Sequence, residues 1–296
     1  MIGASIALLT ALAWAISSII IKSLTNRIDT LSINTIRMWI PSVIVFAFVL
    51  ITHRHVELLN TPLQSLMLVI GSGIIAMAIG DTLYIYTLSL LDASIAFTIA
   101  QCLFVAMATI AAIVFLDEPF TWITVVGAVL VLCGISLIVS TGKEDADTTD
   151  HKKISGKGVA ITFVTAIIWT ASTMMLKVGA TGMDPVLASS MRIGASAIAL
   201  TIFATPRLAQ GTLQLRTLST KDLVLIAATG LLAYGIAAVG YVTAIQMIGA
   251  GKTVLLTATA PLFALPFSMV FLKEKPTRST IAGILVCVAG ICLVVI

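Results

Sequence analysis

Charge is what this sequence has least of. Only 10% of its 296 residues are Asp, Glu, Lys or Arg, against about 25% in soluble domains. So few charges cannot cover a water-facing surface, so much of the surface must face lipid. No basic run exceeds Lys152-Lys153 and the net charge is only +4, which excludes a nucleic-acid surface. No Gly-rich phosphate loop of the P-loop kind is present, which argues against a pump that hydrolyses nucleotides by itself. Histidine is scarce: His53, His55 and His151 all lie in polar connections. No Asp-rich motif stands inside an apolar run, so neither a metal site nor a cofactor is expected. Cys102, Cys133, Cys287 and Cys292 form no C-x-x-C pair. They read as small apolar side chains rather than zinc ligands or a disulfide framework.

What the sequence has in abundance is apolar length, at 59% hydrophobic residues. A membrane-crossing helix needs about 20 such residues. Residues 2–21, 93–116, 119–142, 223–251, 253–272 and 279–296 carry no charge at all. Further spans are expected near 33–51, 63–91, 158–176 and 186–206, three of them interrupted by Arg37, Asp81 or Arg192. The first run lacks a basic leader and is too long for a secretion signal, so it reads as a span. The runs are continuous rather than alternating, which excludes a transmembrane barrel. The expected fold is an all-α integral membrane protein with ten transmembrane helices. Residues 142–156 hold four acids and three lysines and read as a solvated linker. They separate residues 1–141 from 157–296.

Those two parts read as copies of each other. Trp14 and Lys22 recur as Trp169 and Lys177, and Gly3, Asp29 and Arg37 recur as Gly158, Asp184 and Arg192, all shifted by 155 residues. Tyr84 and Ala93 recur as Tyr241 and Ala250 at a shift of 157. Glu118, Thr121, Gly127 and Gly134 recur as Glu274, Thr277, Gly283 and Gly290 at 156. Five helices is an odd number, so the second copy must enter the membrane from the opposite face. The result is an inverted repeat, an architecture of secondary transporters.

Taken together, these motifs resemble the EamA-like branch of the drug/metabolite transporter superfamily over nearly the whole chain. The resemblance rests on the doubled Trp and Lys of the first helix and the doubled Arg of the second. It rests also on the doubled Glu that precedes a glycine-spaced last helix. The fourth-helix Pro is present as Pro261 but is Val105 in the first copy, and Ser17 and Ser172 stand where Asn is common. The resemblance implies a carrier of small metabolites, commonly an exporter of amino acids or other small organic compounds, in the cell membrane. The rival readings are a lipid-modifying enzyme within the membrane and a scaffold without turnover. The five-plus-five repeat argues against the scaffold.

Asp81, in Ala-Ile-Gly-Asp-Thr-Leu-Tyr, is the sharpest site candidate. A carboxylate at the centre of a span costs about 2.5–3.5 kcal/mol on insertion scales, so it needs a cavity, a partner or a proton. It is the candidate for substrate recognition and for proton coupling, against a structural bond to a neighbouring helix. Trp14, Trp169, Tyr84, Tyr234 and Tyr241 are candidates to line an apolar cavity with a few polar groups. Gln101 and Thr257 match at a shift of 156 and could meet near the symmetry axis. Arg37 and Arg192 are read as helix-end groups that snorkel or cap, with carboxylate binding as the alternative. Glu118 and Glu274 are read as helix starts, with gating as the alternative. The paired glycines suit close packing of the fifth and tenth helices, or a homodimer. Expected partners are thus a small-molecule substrate and the lipid bilayer, with no nucleic acid.

Orientation draws two opposed expectations. Positive residues on short loops mark the cytoplasmic face. Twelve (Lys22, Arg27, Lys143, Lys152, Lys153, Lys157, Arg207, Arg216, Lys221, Lys273, Lys275 and Arg278) fall on one side, against Arg54, Lys177 and Lys252 on the other. That count puts the termini outside, whereas the family resemblance implies that both lie inside.

Overall fold

The computed structural model describes residues 2–116, 155–209, 218–274 and 276–295, together with 122–123, 126–127, 129–130, 133–134 and 137. The polar linker, apart from its last two residues, and Glu118 lie outside the described residues. Among the described residues the fold is entirely helical, without strands. The helices are α1 (Ile2–Leu24), α2 (Thr30–Ile51), α3 (Leu63–Leu90), α4 (Ala93–Leu116), α5 (Gly156–Gly179), α6 (Pro185–Ala209), α7 (Thr220–Ile248), α8 (Ala250–Thr257 and Ala260–Leu272) and α9 (Arg278–Val295). Six of them, α1, α2, α3, α5, α6 and α7, are long and apolar enough to cross a membrane.

The helix starts follow local chemistry. The Asp29 carboxylate accepts from Ser32 N at 3.0 Å and begins α2. Its counterpart Asp184 accepts from Val186 N and Leu187 N at 3.0 and 2.9 Å and begins α6. Ser155 and Ser219 cap α5 and α7 in the same way. Each such cap is worth about 1 kcal/mol. α8 is interrupted by a turn at Ala258–Thr259, immediately before Pro261, which cannot donate the amide bond that would carry the helix through. The first half has Val105 at this place, and α4 runs through without a break.

The halves pack on each other through contacts that occur twice, with the halves exchanged. Trp14 of the first half packs tilted against Tyr241 of the second with ring centroids 5.2 Å apart, and Trp169 of the second against Tyr84 of the first at 5.4 Å, both at 50° between ring planes. Ser17 Oγ donates to Thr229 O at 3.3 Å, and Ser172 Oγ to Ser72 O at 2.8 Å. α2 crosses α7 where Gly230 meets Arg37, so closely that a Cβ on Gly230 would lie 2.2 Å from the Arg37 carbonyl oxygen. α6 crosses α3 where Gly73 meets Arg192, with the corresponding distance 2.6 Å. Such reciprocity is what a two-fold relation between halves produces.

α3 and α7 each contain one π-helical stretch, Ile74–Gly80 and Leu231–Ala237. These occupy matched positions, 157 residues apart. π turns are rare and cluster at functional sites, because the wider turn re-aims the side chains around it. The first stretch delivers Asp81. Outward-facing residues such as Val43, Ile44, Phe46, Ile198, Ile202 and Phe203 leave α2 and α6 with apolar outer faces, as lipid contact requires. Gly134 is pressed against α9, where a Cβ would lie 2.7 Å from Gly283 O. At Gly134 the expected close approach of the glycine-spaced segments is therefore made within one chain.

Candidate functional site

A cavity of about 120 Å³ lies between the halves, lined by residues of α1 to α7. That is the scale of one small organic molecule, since an apolar cavity of about 150 Å³ admits benzene.

Asp81 stands on the cavity wall, on the first turn after the π stretch of α3. Its carboxylate belongs to the first half and its direct partners to the second. Trp169 Nε1 on α5 donates to Oδ1 at 2.9 Å, and the Tyr234 hydroxyl on α7 donates to Oδ2 at 2.5 Å. The π stretch is itself braced. Asn34, fully buried on α2, donates from Nδ2 to Met77 O at 2.9 Å and to Thr82 Oγ1 at 2.8 Å. Gly80 lets Trp169 approach, since a Cβ there would sit 2.9 Å from the indole nitrogen.

The rest of the wall is aromatic. Trp14 and Tyr241 form one tilted pair, and Trp169 sits against both Tyr84 and Phe104. The Tyr84 hydroxyl donates to Ser18 Oγ at 3.2 Å. Gln101 on α4 also faces this space. Asp81, Trp14, Tyr84, Gln101, Trp169, Tyr234 and Tyr241 are therefore gathered around one cavity. Thr257 is not among them. It is buried beside the α8 turn, with its hydroxyl bonded to Thr253 O and Val254 O of its own helix.

Arg37 and Arg192 do not cap helix ends. α2 begins at Thr30 and α6 at Pro185, so each arginine lies seven residues into its helix, about 10 Å along it. They are only 4% and 5% exposed and both line the cavity. Arg37 Nη2 donates to Ser17 Oγ at 3.5 Å and its guanidinium lies 4.5 Å above the Tyr234 ring. Arg192 Nη2 donates to Ser172 Oγ at 3.4 Å. Sequence reading did not propose Ser17, Ser172 and Asn34 as site residues. The two serines carried a signal, since they repeat at the same shift as the tryptophans.

The helix-end groups sit away from the cavity. Glu274, in the connection after α8, accepts from Ala93 N at 2.7 Å, Ser94 N at 3.3 Å and Ser94 Oγ at 2.9 Å. It thus caps α4 of the other half, not the helix that follows it in the chain. Lys22 Nζ donates to Leu88 O and Leu91 O at the end of α3. Together a carboxylate and an ammonium hold the α3–α4 turn, each at the helix end that suits its charge.

Comparison with known proteins agrees with this architecture. The model of the EamA-like transporter family matches residues 1–140 and again residues 156–296. The chain belongs to the EamA-like transporter family. It is thus a multi-pass membrane protein, from a family whose members are transporters rather than enzymes. No curated protein matches this EamA-like chain in sequence. One solved structure, titled only as the crystal structure of a protein, is similar at 16% identity with a TM-score of 0.71, covering 98% of this chain and 95% of that one. At that identity the likeness speaks for the fold alone.

Proposed function

We propose that this EamA-like protein is a secondary transporter, an exporter of small metabolites such as amino acids in the plasma membrane. The path is the cavity between the halves, opened to each side of the membrane in turn. In this reading residues 1–141 and 157–296 are five-helix repeats of opposite orientation, joined by the polar linker, and the chain crosses the membrane ten times. The observation that carries the reading is the shared carboxylate: Asp81 of one half is held by Trp169 and Tyr234 of the other, inside a molecule-sized cavity. A group bonded across the interface feels any relative movement of the halves. The matched contacts support two related arrangements, each half able to take the role of the other. The cavity volume and its aromatic wall favour small amino acids over large polyanions.

Counterflow in proteoliposomes tests this. Purified protein loaded with unlabelled amino acid should accumulate labelled amino acid in a saturable manner. Asp81→Asn should abolish exchange if Asp81 belongs to the substrate site. It should keep exchange but lose the response to an imposed pH gradient if Asp81 carries the proton. Absence of saturable exchange across an amino-acid panel, or a variant indistinguishable from native in both respects, contradicts the proposal.

A further inference from the structure

The charges around the cavity do not balance. Arg37 and Arg192 contribute two guanidiniums, and among the described residues Asp81 is the only acid in the lining. Asp81 already accepts from Trp169 and Tyr234, one bond on each oxygen, and among the described residues it forms no ion pair with either arginine. Each guanidinium carries five N–H donors. Each spends one on a serine hydroxyl, at the long end of hydrogen-bonding distance. Both Nε atoms are buried without a hydrogen-bond partner among the described residues, and so is the Gln101 side-chain oxygen. An arginine stays charged in proteins, and a buried charge is costly unless it is paired and hydrogen-bonded. Two guanidiniums at matched positions face one small cavity with a single carboxylate between them, which leaves one positive charge in excess and suits the cavity to an anion.

We propose that Arg37 and Arg192 form a paired anion site, and that the transported compounds carry a free carboxylate. This deepens the transport reading and rests on it. The planar guanidinium fork matches a carboxylate in two parallel bonds. One arginine comes from each half, so a carboxylate between them is held by both halves at once. The aromatic pair Trp14–Tyr241 offers a wall for the apolar body of the ligand. An amino group is then accommodated by Asp81 but is not required for binding.

The test uses sets of related small compounds on the native protein. Alanine, valine and leucine are each compared with their carboxamide, their deaminated acid and their decarboxylated amine. The readouts are thermal stabilisation in detergent and competition in counterflow. At least one acid-bearing compound should bind, with its amide and amine at least tenfold weaker, and the deaminated acid should compete. Arg37→Gln and Arg192→Gln should each weaken acid binding at least tenfold, with Arg37→Lys retaining part of it. Where a glutamine variant does not fold, discrimination by the native protein decides. Amides or amines that bind as well as the acids overturn the anion site. So do folded glutamine variants with native affinity. Exchange of amines alone leaves the carrier standing without the anion site, and no binding or exchange of any compound sinks both.

Discussion

Asp81 shows how far one residue can be read from sequence. A lone acid in a span announces itself by its cost, and it does line the cavity. Four of the aromatic candidates were legible for a related reason, because Trp14 and Trp169, and Tyr84 and Tyr241, recur at matched places in the two copies; Tyr234, matched by Met77, does not. Ser17, Ser172 and Asn34 were harder to single out as site residues. Hydroxyls and amides are common in membrane helices, where they often bond back to their own backbone, as Thr257 does. Arg37 was placed too near its helix end because α2 starts at Thr30, three residues before the apolar run suggested; α6 starts within one residue of expectation, and for Arg192 it was the burial that sequence did not reveal. The Trp169 bond yields a prediction at this scale. Trp169→Phe keeps the ring but removes the donor to Asp81, and should lower exchange by about tenfold, the equivalent of 1.4 kcal/mol. Unchanged exchange would assign Trp169 to packing alone.

At the scale of elements, apolar length gave away the helices, to within about three residues at most ends. The π stretches left no such mark, since a π turn depends on what braces it from outside the helix. The Asn34 bond to Met77 O is such a brace. Asn34→Leu removes it and should disturb Asp81, so that exchange falls while the protein still elutes as a single folded species. The break in α8 at Ala258–Thr259 was not anticipated, since residues 253–272 read as one continuous span and Pro261 was noted only for the family resemblance. Glu274 was rightly read as a helix cap, but for the wrong helix, because a cap from the other half of the chain has no local signature. Glu274→Ala leaves two backbone N–H groups at the start of α4 without their acceptor. It should cost about 1 kcal/mol and lower the melting temperature in detergent. A melting temperature equal to native would mean that this cap contributes nothing. Gly230→Leu is a harsher test of the α2–α7 crossing. The side chain would have to displace the Arg37 backbone, so yield of folded protein should collapse, and Gly73→Leu should repeat the effect at the matched crossing.

For the molecule as a whole, the repeat was the most legible feature of the sequence, and its physical meaning emerges only in three dimensions. Matched residues do not simply recur; they exchange partners across the interface. Trp14 with Tyr241 and Trp169 with Tyr84 are two instances of one contact. So are Gly3 against Ile248 and Gly158 against Leu91. Asp81 breaks the symmetry, because its counterpart Ala238 has no carboxylate. A symmetric frame around an asymmetric site is what an alternating carrier of a chemically asymmetric substrate needs. The central claim is that both faces of the membrane reach this cavity in turn. Thr173 lines it and does not bond Asp81 directly, its hydroxyl donating to Trp169 O one turn back on its own helix. In a protein whose four native cysteines are replaced by alanine, Thr173→Cys would be exposed to a small membrane-impermeant thiol reagent. The reagent would be added to sealed vesicles from outside, or trapped within them. The account predicts labelling from both faces, each slowed by a transported substrate. Labelling from one face only, whatever the substrate concentration, would contradict it.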